Sequence, residues 1–147
     1  FLIKNNSNFC RLNFKVVAIH IDYANRNESA KEALFVENWC NGLDVIFRKR
    51  VISEVKRGTT DRNLYEKVAR EARFTAYREV LIEFPNSKAV MFGHHQGDLQ
   101  ENVISNIFKG CSVLKLAGMA EESSNSGVVI WRPLLSFSKD EIFSFAH

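Results

Sequence analysis

Short apolar runs alternate along this chain with segments of helical periodicity. The runs lie at residues 15–22, 44–47, 88–92 and 128–131. Unbroken apolar stretches of this length are typical of parallel strands that are buried on both faces. Because helices are predicted between them, the pattern predicts an α/β fold built on a parallel sheet with right-handed crossovers.

Start and stop signals bound several of the predicted helices. Ser29 with Glu32, and Ser138 with Glu141, have the spacing of capping boxes, in which two side chains bind the first free backbone N–H groups of a helix. Residues 41–42, Asn-Gly, predict a left-handed end to the helix that begins near Ser29.

Three longer segments complete the pattern. Residues 49–61 carry several basic side chains without apolar periodicity, which predicts a basic loop. A long helix is expected from about residue 61 to residue 84, where Pro85 ends it. Residues 118–127 are rich in Ser, Asn and Glu and are predicted to form a turn region.

Titratable side chains are concentrated where the third predicted strand ends. Residues 93–102 begin Gly-His-His-Gln-Gly-Asp, and helical periodicity starts at Asp98. Asp98 and Glu101 fall on one face of that helix, directly after His94 and His95. Ligands bind at the carboxyl ends of strands in open α/β sheets, so we predict a functional site here. The alternative is that Asp98 only favours the helix dipole.

Polar residues also end the first predicted strand. His20, Asp22 and Tyr23 follow its apolar run. Two interpretations of His20 stay open at this point: a hydrogen-bonded core histidine, or a residue that lines a ligand pocket.

Composition narrows the class of protein. With 147 residues, of which 46% are hydrophobic, the chain is expected to form one compact domain. Its apolar runs are too short to span a membrane, and its first residues do not have the charged-then-apolar pattern of a secretory leader, so we expect a soluble protein. Cys10, Cys40 and Cys111 are too far apart for a zinc site or a disulfide framework, which favours a reducing compartment, the cytoplasm or an organelle. The net charge of +3 permits an anionic partner.

Several separated segments together resemble the PP-loop ATP pyrophosphatases. Within that family the pattern is most similar to the tRNA(Ile)-lysidine synthetases, and the likeness runs from about residue 16 to residue 146. The segments that carry it are residues 20–23 (His-Ile-Asp-Tyr) with Arg26 and Ser29, residues 70–74 (Arg-Glu-Ala-Arg-Phe), residues 93–101, residues 118–119 (Gly-Met) and residues 132–135 (Arg-Pro-Leu-Leu).

The resemblance implies an adenine nucleotide alpha-hydrolase fold and an enzyme that uses ATP and Mg²⁺. Such an enzyme adenylylates C2 of the wobble cytidine in an isoleucine tRNA and releases pyrophosphate. The side-chain amine of lysine then displaces AMP to give lysidine. The implied partners are therefore tRNA and lysine, and a homodimer remains an alternative to a monomer.

The resemblance also assigns residues to nucleotide binding. His20 and Asp22 would line the adenosine pocket at the end of the first strand. Gly93, His94 and His95 would lie near the phosphates.

Four further residues would take part in the reaction. Asp98 and Glu101 would hold the lysine ammonium or handle Mg²⁺ and protons, with Asp98 as the metal ligand. Arg73 and Arg132 would face phosphate or tRNA, which suits a transfer that depends on positioning and charge neutralisation. The alternatives are a weak surface pair of Arg73 with Glu66 and a solvated charge at Arg132.

The chain departs from the family pattern in two places. The SGGxDS phosphate loop does not occur in it, so residues 1–147 would be a partial PP-loop ATPase catalytic domain that lacks the first strand and binds ATP poorly or not at all. Residues 1–14 would then correspond to a helix end and the loop after it. Gly97 stands where the lysidine enzymes usually carry the first acid of an Asp-Asp pair.

Two rival functions follow from these departures. One is a PP-loop tRNA thiolase, although such enzymes use paired cysteines or an iron-sulfur cluster and this chain has no CxxC. The other is a degenerate, non-catalytic module that keeps the fold and binds RNA or protein.

Overall fold

A computed structural model of the chain describes residues 15–112, 116 and 118–147. The chain divides into two compact units, one that ends at Glu83 and one that spans Phe84–His147. The helix end and loop expected for residues 1–14, and Cys10 with them, lie outside the described residues.

The first unit holds two parallel strands and two helices. Its elements are, in chain order, β1 (Val17–Asp22), α1 (Ser29–Gly42), β2 (Ile46–Val51) and α2 (Arg62–Glu83). β1 pairs with β2 along its whole length, with Val17 opposite Ile46 and Asp22 opposite Val51. The predicted parallel pairing with a helical crossover is therefore confirmed for these two strands.

Small side chains let α2 pack closely on this pair of strands. Ala69, Ala72 and Ala76 recur at helical spacing on one face of α2, and all three are buried. Ile52, just after β2, is 1% exposed and forms a core cluster with Ala69 and Ala72. Ile21 of β1 packs against that cluster, so the end of β1 is fixed from both sides.

The second unit is a three-stranded sheet with two helices. Its elements are β3 (Val90–Met91), α3 (Gln96–Phe108), β4 (Glu122–Asn125), β5 (Val128–Trp131) and α4 (Lys139–Ala146). β5 lies in the centre, parallel to β3 and antiparallel to β4. Among its described residues, the buried hydrophobic ones are Val128, Ile130 and Leu135. Among the described residues of both units, no helix is long and apolar enough to cross a membrane.

Three strand predictions were wrong in detail. β2 was predicted at residues 44–47 but runs from Ile46 to Val51, so it includes residues 49–51 of the predicted basic loop. β3 is two residues long and Met91 is 49% exposed, so this strand is not buried on both faces. The turn predicted at residues 118–127 contains β4, which pairs with β5 through its backbone although its residues are polar. Ser126 and Gly127, with φ of 50° and 78°, form the two-residue hairpin between them.

The capping box predicted at Ser29 was wrong. Glu28 is the N-cap of α1, and its side chain makes no capping hydrogen bond. Glu32 instead accepts two hydrogen bonds from the Arg26 guanidinium, at 3.0 and 2.9 Å. An arginine within reach therefore outcompeted the backbone for this carboxylate.

Two other helix signals had opposite outcomes. The left-handed residue after α1 is Asp44, with φ of 54°, and not Gly42. The capping box of α4 is confirmed, because the Ser138 N–H donates to Glu141 Oε2 at 2.7 Å and the Glu141 N–H donates to Ser138 Oγ at 3.2 Å.

Two asparagines of α3 hold the segment that follows it. Asn106 Nδ2 donates to the Leu116 carbonyl at 3.0 Å and to Asn102 Oδ1 at 3.1 Å. A Cβ on Gly118, where φ is 58°, would lie 2.2 Å from Asn102 Oδ1. Only glycine therefore allows the chain to pass this close to α3.

We expect Gly118→Ala to lower the free energy of unfolding by about 3 kcal/mol, because it adds left-handed strain and a collision with Asn102. Gly110→Ala is the matched control: Gly110 has φ of 70° but nothing within 4 Å of its added Cβ. Strain alone should cost about 1 kcal/mol there. Urea unfolding of both variants measures the difference, and equal losses would contradict the close approach.

Candidate functional site

A reciprocal cap closes the turn from β3 into α3. His95 is the N-cap, and its Nδ1 accepts a hydrogen bond from the Gly97 N–H at 3.0 Å. Its backbone N–H donates to Asp98 Oδ2 at 2.8 Å. Imidazole is an unusual capping group, but an unprotonated ring nitrogen accepts an N–H as a hydroxyl oxygen does.

The first three backbone N–H groups of α3 all have acceptors. The Gln96 N–H donates to the Phe137 carbonyl at 2.9 Å, and the Asp98 N–H donates to the His95 carbonyl at 3.1 Å. The Gly97 N–H is held by the cap. A helix N-terminus is a ready anion site only when such donors are free, so side chains would have to bind an anion here.

The local structure explains why residue 97 is a glycine. A Cβ at this position would lie 2.8 Å from His95 Cε1 and 3.1 Å from Nδ1. Any larger residue, aspartate included, would push the imidazole away from its capping position. Glycine replaces the first acid of the Asp-Asp pattern at this position, and an acid here would disturb the cap.

Asp98 presents an ionised carboxylate from this cap. The hydrogen bond from the His95 backbone N–H is the main cause that lowers the pKa of Asp98. Burial opposes this effect with a smaller rise in the pKa, and the positive charges that His95 and His94 carry when protonated lower it again to a lesser extent. His95 Nε2 lies 3.7 Å from Asp98 Oδ2, and the Asp98 side chain is 38% exposed, so solvent or a ligand can reach it.

His94 is held as a neutral imidazole. Burial lowers its pKa below 6.5 most strongly, the positive charge of Arg132 lowers it further, and the Asp98 carboxylate opposes both. Its ring packs edge-on against Phe92, with 5.4 Å between centroids. Its Nδ1 is buried and has no hydrogen-bond partner among the described residues. His94 would therefore meet a phosphate as a neutral hydrogen-bonding group.

Arg132, just after β5, is not a solvated charge. Its Nη1 donates to the Ala120 carbonyl and to Ser123 Oγ, both at 2.8 Å, so it fastens the β4–β5 hairpin. Its guanidinium lies 5.9 Å from the centroid of the Phe92 ring. Burial lowers the pKa of Arg132, and its Nε is buried without a partner in the described part of the chain.

His20 and Asp22 line a cleft of about 320 Å³ at the carboxyl end of β1. Asp22 is 7% exposed, and its Oδ1 accepts a hydrogen bond from the Ala24 N–H at 2.8 Å. His20 also packs toward Phe47, with 6.2 Å between ring centroids. His20 is half-buried, so it contacts an apolar ring on one side and lines the cleft on the other.

The remaining predicted site residues are placed as follows. Arg73 is half-buried on α2, where its charge lowers the pKa of Tyr77 although burial raises that pKa more. Glu66 pairs with Arg62 at 3.0 Å, not with Arg73. Glu101 is exposed on α3. Gly93 is exposed ahead of the two histidines.

The structure thus brings together four predicted residues of the second unit: His94, His95, Asp98 and Arg132. Sequence reasoning missed Arg57, which lines the cleft of the first unit. It was one of several cations in the basic loop, and nothing in the sequence distinguished it from them.

A resident metal centre does not form in the described ranges. No three His, Cys, Asp or Glu side chains there are grouped so that they could hold a metal ion. Mg²⁺, however, is often held by one or two carboxylates that substrate phosphates complete. The oxygen ligands of Asp98 fit that kind of shared site.

Comparison with known proteins gives a family match over the whole chain. The family described as PP-loop domain matches residues 1–147. A tRNA(Ile)-lysidine synthase from Staphylococcus aureus (strain COL) is 30% identical over 135 residues, which are 89% of this chain and 30% of that protein. The tRNA(Ile)-lysidine synthase of Acinetobacter baylyi is 30% identical over 128 residues, 87% of this chain and 26% of that protein. The chain therefore spans under a third of the length of these relatives.

Among solved structures, the chain is similar to the U34-tRNA thiolase NcsA from Methanococcus maripaludis, determined with its [4Fe-4S] cluster. The TM-score is 0.67 at 16% identity, with 99% of this chain and 51% of the thiolase covered. The two share a fold, which agrees with the predicted adenine nucleotide alpha-hydrolase architecture.

We expect Arg132→Gln to raise the pKa of His94 toward 6.5, because it removes the neighbouring positive charge and leaves the burial in place. Arg132→Lys keeps the charge and should leave the pKa of His94 low. NMR titration of the His94 ring resonances measures both. If Gln and Lys gave the same pKa, the charge of Arg132 would have no part in the shift.

The same shift fixes the sign of a pH effect on stability. Because His94 binds its proton less readily in the folded state, its contribution to stability falls as the pH drops below 6.5 toward the lower folded pKa.

Proposed function

This chain belongs to the PP-loop family, and on that premise we propose that it carries the catalytic domain of an ATP-dependent tRNA lysidine ligase. The observation that carries the proposal is its similarity, at 30% identity over 89% of its residues, to a tRNA(Ile)-lysidine synthase. The proposed substrates are ATP, lysine and the wobble cytidine of an isoleucine tRNA.

The proposed reaction has two steps. The O2 oxygen of cytidine attacks the α-phosphorus of ATP, and the bond from that phosphorus to pyrophosphate breaks. The side-chain ammonium of lysine first loses a proton, and its neutral nitrogen then attacks C2 of the cytosine ring. The C2–O bond breaks, AMP leaves with the oxygen, and the nitrogen gives up a proton. Both steps require positioning and the neutralisation of negative charge that builds on oxygen.

The site in the second unit supplies groups suited to both requirements. Asp98 is held ionised by its hydrogen bond from His95, so it would bind the lysine ammonium and orient its nitrogen. Neutral His94 is suited to accept the proton that the nitrogen must lose. The Arg132 guanidinium would face the phosphates, beside His94 and His95.

The remaining assignments complete the proposal. Mg²⁺, when bound, would neutralise phosphate charge; in the alternative assignment, Asp98 would be its protein ligand and would not hold the lysine ammonium. Glu101 would assist Asp98 with the lysine substrate, and Arg73 would face phosphate or tRNA. The cleft beside His20 and Asp22 would hold adenosine.

The state of the two described cysteines supports a proposal for the cellular compartment. Cys40 and Cys111 are both free thiols, which fits a reducing compartment. We therefore place the reaction in the cytoplasm or in an organelle, with a monomer or a homodimer as the working form.

A tRNA thiolase is the second candidate, favoured by the structural similarity to the thiolase NcsA. Cysteine chemistry argues against it. Clusters of the [4Fe-4S] type are commonly held by four cysteine thiolates, several of them closely spaced along the chain. This sequence has three cysteines, and they are far apart. Of the two that are described, Cys40 is buried in the first unit and Cys111 is exposed in the second.

A non-catalytic module is the third candidate, because Gly97 replaces an acid of the family pattern. The cap offers another reason for glycine at this position, since it leaves room for the His95 imidazole. The ionised Asp98 beside it is retained, which supports an enzyme.

We expect Asp98→Asn in the full-length protein to lower lysidine formation by about 100-fold, because it removes the charge that binds the ammonium. Asparagine keeps an oxygen that can accept the His95 N–H, so the cap should survive. Nucleoside analysis of isoleucine tRNA after incubation with ATP, Mg²⁺ and labelled lysine measures the product.

Glu141→Gln is the matched control for that substitution. Glu141 occupies the same capping position in α4 and accepts the Ser138 N–H at 2.7 Å. Its neutralisation should change activity by no more than about twofold. If the two variants behaved alike, or if Asp98→Asn kept normal turnover, Asp98 would be a capping residue only.

We expect the double substitution Cys40→Ser and Cys111→Ser to leave lysidine formation within about threefold of the wild-type rate, since the proposed steps use no thiol. Mass spectrometry of the modified tRNA separates the candidates directly. A thiolated nucleoside in place of lysidine, lost in the double variant, would establish the thiolase instead.

A further inference from the structure

The cleft at the end of β1 holds two guanidinium groups that differ in their pairing. Arg26 and Arg57 both line it. Arg26 is neutralised by Glu32: its Nη2 donates hydrogen bonds to both carboxylate oxygens, at 3.0 and 2.9 Å. Arg57 has no carboxylate partner among the described residues. Arg57 is therefore the cation at this cleft that a bound anion would meet first.

The backbone around Arg57 is fixed. The Thr60 N–H donates to the Lys56 carbonyl at 3.1 Å, and the Lys56 N–H donates to Thr60 Oγ1 at 3.2 Å. Gly58 lies between them with φ of 91°, a conformation that glycine adopts without strain. The basic loop therefore turns tightly at the point where Arg57 reaches the cleft.

A side-chain contact fastens this turn to the rim of the cleft. The Arg57 N–H donates to Asn25 Oδ1 at 3.4 Å, and Asn25 Nδ2 donates to the Tyr65 hydroxyl at 2.7 Å. Tyr65 belongs to the first turn of α2 and packs against the core cluster of Ile52, Ala69 and Ala72. Asn25 thus links the loop after β1, the turn at Arg57 and the core.

We propose that Arg57 binds a phosphate group of the nucleotide held in this cleft, and that Asn25 and Tyr65 are the positioning residues that keep it there. The inference rests on the proposed function for the presence of a nucleotide. A cleft of about 320 Å³ has the size of a small-ligand pocket, which favours a free nucleotide over an RNA backbone.

The test measures ATP and tRNA binding separately in the full-length protein. Arg57→Ala should weaken ATP binding by about tenfold, the loss expected for one charge-assisted hydrogen bond. Arg57→Lys should recover part of it. Lys56→Ala is the matched control, because Lys56 is the adjacent exposed cation of the same loop and should change ATP affinity by less than about twofold.

The positioning role is tested by a double-mutant cycle. Tyr65→Phe removes only the hydroxyl that Asn25 contacts and should weaken ATP binding by about threefold. In the Arg57→Ala background the same substitution should have no further effect, because its action passes through Arg57. A threefold loss in both backgrounds would make Tyr65 a structural residue and remove the positioning claim.

The salt dependence of tRNA binding identifies the rival ligand. If Arg57 contacts RNA phosphate, Arg57→Ala lowers the slope of log K against log salt by about one unit and leaves ATP affinity unchanged, which overturns the proposal. Unchanged affinity for both ligands would also overturn it. If the wild-type protein bound no ATP, the proposed function would fail, and this inference with it.

Discussion

The contact between the His95 imidazole and the Gly97 N–H determines what the rest of the second unit can do. It closes the turn between β3 and α3, and in the same turn the His95 backbone N–H donates to Asp98. That hydrogen bond in turn holds the Asp98 carboxylate ionised and in place. The arrangement is possible because Gly97 has no Cβ atom, which would collide with the His95 ring. The acid on which the proposed chemistry depends is therefore positioned by the backbone, before any substrate binds.

Side chains, rather than free backbone amides, supply the binding groups at this site. The first N–H groups of α3 are already bonded, so His94 and Arg132 remain to meet an anion. The positive charge of Arg132 adds to the effect of burial in lowering the pKa of His94, so the arginine carries the positive charge at this site and the histidine offers a neutral ring. Side chains also supply the binding groups of the cleft in the first unit: Glu32 neutralises Arg26, whereas Arg57 has no carboxylate partner among the described residues.

Periodicity and local capping chemistry were enough to predict β1, β5 and the helix capped by Ser138, because each depends on residues close in sequence. Predictions failed where distant groups compete or where the backbone alone decides. Glu32 binds Arg26 and does not cap α1. The polar strand β4 forms because its backbone hydrogen-bonds to β5. The sequence marked residues 93–98 as a site, but neither the capping role of His95 nor the position of Arg57 leaves a local pattern.

The most direct test of this account is the tautomer of His95, measured at neutral pH by long-range ¹H–¹⁵N correlation NMR. The account predicts an unprotonated Nδ1 that accepts the Gly97 amide, a proton on Nε2, and a Gly97 amide protected from hydrogen exchange. A proton on Nδ1, or a freely exchanging Gly97 amide, would show that the cap does not form. Asp98 would then lack the support on which its proposed role depends.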